Sequence, residues 1–234
     1  MKLQLTAVIL LVFLSGITAA GEEPALKTQK DKVSYAIGLK IGTDIKNQSI
    51  DIDPNILAKG VSDALISGKL LLTDDELRET LTALQKDLST KQQEHIQALL
   101  DKNKNEGTAF LEGNKKKEDV KTTPSGLQYK VIKEGTGKTP KASDTVKVNY
   151  SGKLINGTEF DSSYKRGEPV TFQVGGVIAG WTEALQLMKE GAKWQLFIPS
   201  NLAYGETGAG NVIEPNSVLI FEVELLSITE KTAK

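Results

Sequence analysis

The stretch 148-VNYSGKLINGTEFDSSY-164 alternates apolar and polar side chains, turns at Asn156-Gly157 and then sets Phe160 directly beside Asp161. A period of two over this length marks a half-buried strand. An Asn-Gly pair between two such runs predicts a two-residue hairpin turn, in which both central residues take positive φ. Adjacent residues of an extended strand point to opposite faces, so Phe160 and Asp161 cannot share a side if the second strand stays extended.

The same period governs the chain around this hairpin. LQYKVI (127–132), KWQLFIP (193–199) and VLIFEVELLSI (218–228) carry alternating or continuous β-branched and aromatic residues. One helix interrupts them: GWTEALQLM (180–188) has Trp181, Leu185 and Met188 at spacings of four and three. A single amphipathic helix of that kind lies across one face of an antiparallel sheet. The carboxy-terminal domain, residues 126–234, is therefore expected to be α+β, a curved sheet wrapped on a short helix, with long loops near residues 161–169 and 200–217.

Ahead of it the period is helical. DKVSYAIGLKIGTDI (31–45) repeats apolar residues at Val33, Ile37 and Ile41. DPNILAKGVSDALISG (53–68) does so at Ile56, Leu57, Val61, Ala64 and Leu65, with Asp53 as N-cap and Pro54 at the first helical position. A third helix starts at TDDE, where Thr73 and Glu76 have capping-box spacing, and Leu77, Leu81, Leu84 and Leu88 then recur at steps of four, three and four. Beyond Leu88 the stripe thins to Ile96, Leu99, Leu100 and Phe110 among Lys, Gln, Asn and Glu, which predicts a solvated second half. Running from about Asp74 to about Lys115, this helix would be roughly 60 Å long. Segment 112-EGNKKKEDVKTTPSG-126 loses the helical period, and a linker is expected over residues 116–125.

Residues 21–72 thus form a helical module and 73–115 a connecting helix. So small a helical region makes a thin core, and self-association through it buries Leu77 to Leu88 and the faces of the first two helices. A monomeric three-helix cap, its apolar faces covering one another, is the alternative.

Residues 1–20 read as a targeting segment: Lys2 is the positive end, Leu3 to Leu14 are apolar, and Ser15 to Ala20 are small, with removal expected near Ala20. A membrane-spanning helix needs about 20 apolar residues, more than this run has before Ser15 and Gly16. An exported protein without a membrane span after removal follows as the expectation.

Composition closes off several functions. The 234 residues carry a net charge of −1 and no nucleic-acid signature, so no broad field attracts phosphate backbones and no nucleic-acid partner is expected. There is no cysteine, which excludes disulfides, thiolate nucleophiles and redox pairs from this chain. His95, the one histidine, lies in the polar half of the long helix without a patterned second ligand, so no metal and no cofactor are expected.

In order, VNYSG, GTEFDSS, VIAGWTEALQLM, AYGETGAG and PNSVLIFEVELL, spread between Ser125 and Ile228, resemble the FKBP-type peptidyl-prolyl isomerases. The helical region with DKVSYAIG resembles the amino-terminal dimerisation module of the bacterial macrophage infectivity potentiator group. The resemblance implies an FKBP-like domain behind an all-α dimerisation module. It also implies an apolar pocket that receives a proline ring over Trp181 as floor. Tyr150, Phe160 and Phe221 would be walls, Val177 and Ile178 would flank the floor, and the Ile178 N–H would hold a substrate carbonyl. Tyr204 would donate from the rim beside Ile213, and Asp161 and Arg166 would make a polar corner. Read without the resemblance, these aromatics would be packing residues and Asp161 a turn carboxylate.

The implied partners are proline-containing polypeptides, a second copy of the chain through the amino-terminal helices, and macrolide ligands such as rapamycin. The implied function is acceleration of X-Pro rotation in exported proteins in the periplasm or at the outer membrane or cell surface, with chaperone activity. The alternative is a binding protein, either a proline-recognising holdase or a host-directed surface factor. A hydrolase using Asp161 as base lacks a paired nucleophile. Three positions depart from small members of the family: Val170 stands where an aromatic is frequent, the segment QVGGVIAGW before the floor is short, and Ala209 occupies a rim position that is often bulky.

Overall fold

The computed structural model describes residues 26–66 and 69–229. The targeting segment expected over residues 1–20 lies outside the described residues. The chain divides into two compact units, Met1–Thr73 and Asp74–Lys234. Among the described residues no helix is long and apolar enough to cross a membrane.

The first unit holds α1 (Gln29–Asn47) and α2 (Pro54–Leu65). Thr28 begins α1 with a reciprocal cap: its hydroxyl accepts the Asp31 N–H at 3.1 Å and the Asp31 carboxylate accepts the Thr28 N–H at 2.8 Å. Asp53 caps α2 by accepting from the N–H groups of Asn55 and Ile56, and Pro54 occupies the first turn, where no N–H is needed. Neither helix has a buried residue, and Val33, Ile37, Ile41, Ile56, Val61 and Leu65 of the apolar stripe are all exposed.

The second unit begins with α3 (Asp74–Asn114), unbroken over 41 residues. Strands β1 (Lys121–Thr122), β2 (Gln128–Lys133), β3 (Thr145–Leu154) and β4 (Glu159–Ser162) follow. Next come the short helix α4 (Ser163–Arg166), β5 (Val170–Gln173), α5 (Ala179–Leu185), β6 (Lys193–Ile198) and β7 (Leu219–Thr229). All pairings are antiparallel, in the order β1-β2-β6-β7-β3-β4, with β5 also on β3. The segment expected as a linker therefore contributes β1 to the edge of the sheet.

The period of two does its work on β3 and β7. Val146, Val148 and Tyr150 of β3 and Leu219, Phe221, Val223 and Leu225 of β7 all face inward. They close on Trp181, Ala184 and Leu185 of α5 and on Met188 just beyond it. Leu185 is fully buried, and its truncation to alanine would cost about 2–5 kcal/mol.

Two expectations are corrected. The carboxy-terminal half of α3 is solvated over most of its surface but not on one face: Gly107 and Asn114 are buried, Phe110 lies 6.0 Å from the Phe197 ring on the outer face of β6, and the Asn114 side-chain amide donates to Gln128 Oε1 at 2.9 Å. Beside Phe110, the contact is made by small and amide side chains, which an apolar stripe does not reveal. The hairpin turn also differs. Leu154 N–H donates to Thr158 O at 2.9 Å and Gly157 N–H to Leu154 O at 2.9 Å, enclosing three residues instead of two. Only Gly157 has positive φ, +88°, while the Asn156 side chain accepts the Thr158 N–H at 2.9 Å. This is the three-residue loop closed by a glycine in the left-handed region.

Candidate active site

The opening stretch builds one wall and the polar corner through a single irregularity. Gly152 of β3 pairs with Asp161 of β4, but Lys153 pairs with Glu159, leaving Phe160 as an extra residue. Such a bulge sets two residues of one strand against one of the other. Phe160 and Asp161 therefore both border the same cleft although they are neighbours in sequence. The residue opposite them has to be glycine: a Cβ on Gly152 would lie 2.6 Å from the Phe221 ring and 2.8 Å from the Phe160 ring.

A second irregularity lies one step along β3. Strand β5 pairs with Thr145–Val148 and β4 with Ser151–Lys153, so the edge of β3 is open between them. The fully buried Ser163 hydroxyl fills the gap, accepting the Tyr150 N–H at 2.9 Å. The chain then makes one turn, α4, and Gly167 ends it at φ +82°. That excursion returns Arg166 to the cleft edge, where its guanidinium donates to Asp161 Oδ1 and, at 2.7 Å, to the Tyr150 hydroxyl. The Tyr150 hydroxyl donates to Asp161 Oδ2 at 2.5 Å, and Arg166 Cζ sits 5.5 Å from the centre of the Tyr150 ring.

The electrostatics of this triad follow from its contacts. Partial burial alone would push the Asp161 carboxyl up, but the hydrogen bonds from Tyr150 and Arg166, with the Arg166 charge, outweigh it and hold the group below the usual carboxylate range. Burial, and then the bond to Asp161, push the Tyr150 phenol up. The bonds to Asp161 and Tyr150 raise Arg166 further. The corner is thus a fixed ion pair around a neutral phenol.

The floor is Trp181, on the first turn of α5. Three rings stand nearly perpendicular to its indole: Tyr150 at 5.2 Å and 89°, Phe221 at 5.2 Å and 85°, and Phe172 at 5.8 Å and 81°. Edge-to-face contacts of this kind are each worth about 0.5–1.5 kcal/mol beyond the area they bury. Only 4% of Trp181 reaches solvent, yet the residue lines an open cleft of about 560 Å³. The Ile178 carbonyl starts α5 by accepting from the Trp181 and Thr182 N–H groups, both at 3.0 Å. The Ile178 N–H, at the cleft edge, has no hydrogen-bond partner among the described residues.

Nine of the ten expected site residues line this cleft: Tyr150, Phe160, Asp161, Val177, Ile178, Trp181, Tyr204, Ile213 and Phe221. Arg166 does not line it and reaches it through Asp161 and Tyr150. Tyr204 stands at the rim, 41% exposed, while Ile213 is held inward by paired backbone bonds to Ala209 of 2.8 and 3.1 Å. Phe172 and Gly176 also line the cleft and were not foreseen. For Phe172 the signal was available: it is two residues after Val170 on a strand, so the aromatic absent at 170 is supplied from the same face at 172. Among the described residues no group of three or more His, Cys, Asp or Glu side chains is arranged to hold a metal ion.

Comparison with known proteins gives the same outline. Residues 136–226 match the family described as FKBP-type peptidyl-prolyl cis-trans isomerase, and residues 30–131 match the domain amino terminal to FKBP-type peptidyl-prolyl isomerase. The chain is 48% identical to the outer membrane protein MIP of Legionella longbeachae, over 97% of this chain and 98% of that protein. It is 45% identical to the peptidyl-prolyl cis-trans isomerase Mip of Coxiella burnetii, over 95% of this chain and 99% of that protein. Among solved structures, FkpA from Escherichia coli superposes with a TM-score of 0.69 at 41% identity, covering 87% of this chain and 98% of that one.

Proposed function

The chain belongs to the FKBP-type peptidyl-prolyl cis-trans isomerases, and from that membership we propose that it turns X-Pro bonds in the cleft floored by Trp181. The observation that carries the proposal is the cup itself, an indole with three rings standing upright around it beside an ion-paired corner. Rotation about an X-Pro bond crosses a barrier of about 18–20 kcal/mol set by amide resonance, which places partial charge on oxygen and nitrogen. The twisted state has lost much of that charge separation. A water-poor aromatic cleft therefore disfavours the planar amide relative to the twisted one, and the upright rings hold the pyrrolidine by shape.

In this reading each polar group has a part. The free Ile178 N–H binds the carbonyl that follows the proline, and Tyr204 donates from the rim. Asp161 keeps Arg166 and the Tyr150 hydroxyl in place without exchanging a proton. Each 1.36 kcal/mol of preference for the twisted state is worth about tenfold in rate, so a few such contacts are sufficient for useful catalysis. A protease-free isomerisation assay on Asp161→Leu and Trp181→Ala, with circular dichroism to establish folding, tests the assignment. Both variants are expected to lose about tenfold or more, and wild-type rates in folded variants would remove the cleft from the mechanism.

The assembly and location belong to the same proposal. The exposed stripes of α1 and α2 support a homodimer formed by the amino-terminal helices, since neither helix buries a residue in its own chain. A dimer presents two clefts to one unfolded chain and gains avidity through effective concentration, which supports a chaperone role. Residues 1–20 support export, and the likeness to an outer membrane protein of Legionella longbeachae favours the cell envelope. Macrolides such as rapamycin are proposed ligands of the same cup.

A further inference from the structure

The loop that carries Tyr204 and Ile213, residues 203–217, has little regular structure of its own. Most of its hydrogen bonds are internal or local: Ala209 with Ile213, Ser217 N–H to Glu214 O, and Gly205 N–H to Ser200 O. A long loop held only in this way opens readily. It is tied down from outside by the long helix. Asn103 of α3 donates through its side-chain amide to Pro215 O at 2.8 Å and to the Glu214 carboxylate at 3.1 Å.

One residue joins both systems. Asn216 donates its backbone N–H to Gly205 O at 2.8 Å, closing the loop immediately after Tyr204, and its side-chain amide donates to Leu100 O of α3 at 3.2 Å. It does so from the left-handed region, φ +58°, which asparagine tolerates better than most residues. One turn beyond Asn103, Gly107 lets the helix lie against Val218, where a Cβ would come within 2.7 Å of Val218 Cγ2. Leu100, Asn103 and Gly107 succeed one another at steps of three and four, so one face of the helix makes all these contacts.

We propose that Asn103 and Asn216 are positioning residues for isomerisation: through them the carboxy-terminal half of α3 holds the 203–217 rim over the cleft, making the long helix a working part of the substrate site. This rests on the cleft being the isomerase site. Neither residue touches substrate. Their effect is exerted through the placement of Tyr204 and Ile213, so it falls on substrate capture more than on the twisting of a peptide already bound. Loosening the rim raises KM and leaves kcat nearly intact.

The test uses the full chain carrying Asn103→Ala, Asn216→Gly and both together, with Asp161→Leu in parallel. Glycine at 216 keeps the positive φ and removes the side-chain bonds, the one to Leu100 O and the longer one accepted from the Ser200 hydroxyl at 3.5 Å. For the double variant KM toward short prolyl peptides is expected to rise about fivefold with kcat within about twofold, and Asn103→Gln, which retains the amide, is expected to recover part of the loss. Hydrogen exchange at the Ala209 and Ile213 amides should quicken about tenfold while Val146 and Val223 in the sheet stay protected. Unchanged KM and unchanged rim protection in the double variant, with Asp161→Leu impaired, overturn the positioning role and leave the cleft intact as the site. Protection lost equally from rim and sheet also overturns it, because the effect is then one of domain stability. Full activity of Asp161→Leu overturns instead the reading of the cleft on which the inference rests.

Discussion

The two halves of α3 invert what their compositions suggest. The first half carries Leu77, Leu81, Leu84 and Leu88 at seam spacing, yet Leu77 and Leu81 lie exposed. The second half carries Leu100, Asn103, Gly107, Phe110 and Asn114 at the same steps of three and four, and these residues meet the sheet domain. The leucine stripe has more apolar surface to hide and less of its own chain to hide it against. The amide and glycine stripe is covered because it matches backbone carbonyls and a close approach. Residue type, more than seam spacing, decides what a face can meet: amides and a glycine suit a loop and a strand edge, whereas leucines would suit a second helix, the partner proposed for this face.

The largest effect should come from the leucine half. Leu77→Lys with Leu81→Lys is expected to weaken self-association by roughly a hundredfold or more, on about 1.5–3 kcal/mol for each leucine fully buried at an interface. Sedimentation should then show monomer while the sheet domain melts as before, and a dimer that persists would place the contact elsewhere. In the docked half, Gly107→Val overpacks the contact with Val218 and is expected to cost about 1–3 kcal/mol in urea unfolding without changing the association state.

A smaller loss is expected for Asn114→Ala. It leaves Gln128 Oε1 without its donor, but it also removes Asn114 Oδ1, which is buried and already without a partner. Those changes oppose one another, so about 1 kcal/mol is the expected cost by chemical denaturation. The least change is expected from pH. Asp161 is held below the carboxylate range and Tyr150 above the phenol range, so isomerisation rates should be flat from about pH 5 to about pH 9. Because the Asp161 pKa is lowered in the folded chain, its stabilising contribution is complete above about pH 4 and is lost only as pH falls through the lowered value. A rate that titrated near neutrality would show that another group takes part.

Most of the architecture could be read because it depends on periods. The change from a helical repeat to a repeat of two near Gly126, the Asp53-Pro54 helix start and the inward set on β3 and β7 all leave a pattern in a single sequence. The cleft residues could be named because five motifs stood in family order. The parts that escaped depend on single contacts. Asn156-Gly157 has the composition of a two-residue turn, and the choice of three was made by the register of the paired strands. The bulge at Phe160 breaks the alternation that strand reading relies on. The burial of Asn114 and Gly107 shows only when Gln128 and Val218, distant in sequence, are brought beside them.

The extra residue at Phe160 has a consequence for how this domain can vary. Substitutions along β4 alter one side chain at a time, but deletion of one residue between Thr158 and Asp161 would restore even pairing with β3 and turn either the phenyl ring or the carboxylate to the outer face. Chain length at this point is thus a requirement in its own right, beside the identities of Phe160 and Asp161. Point variants of Glu159, which does not line the cleft, should keep most of the activity, whereas deletion of that same residue should abolish it.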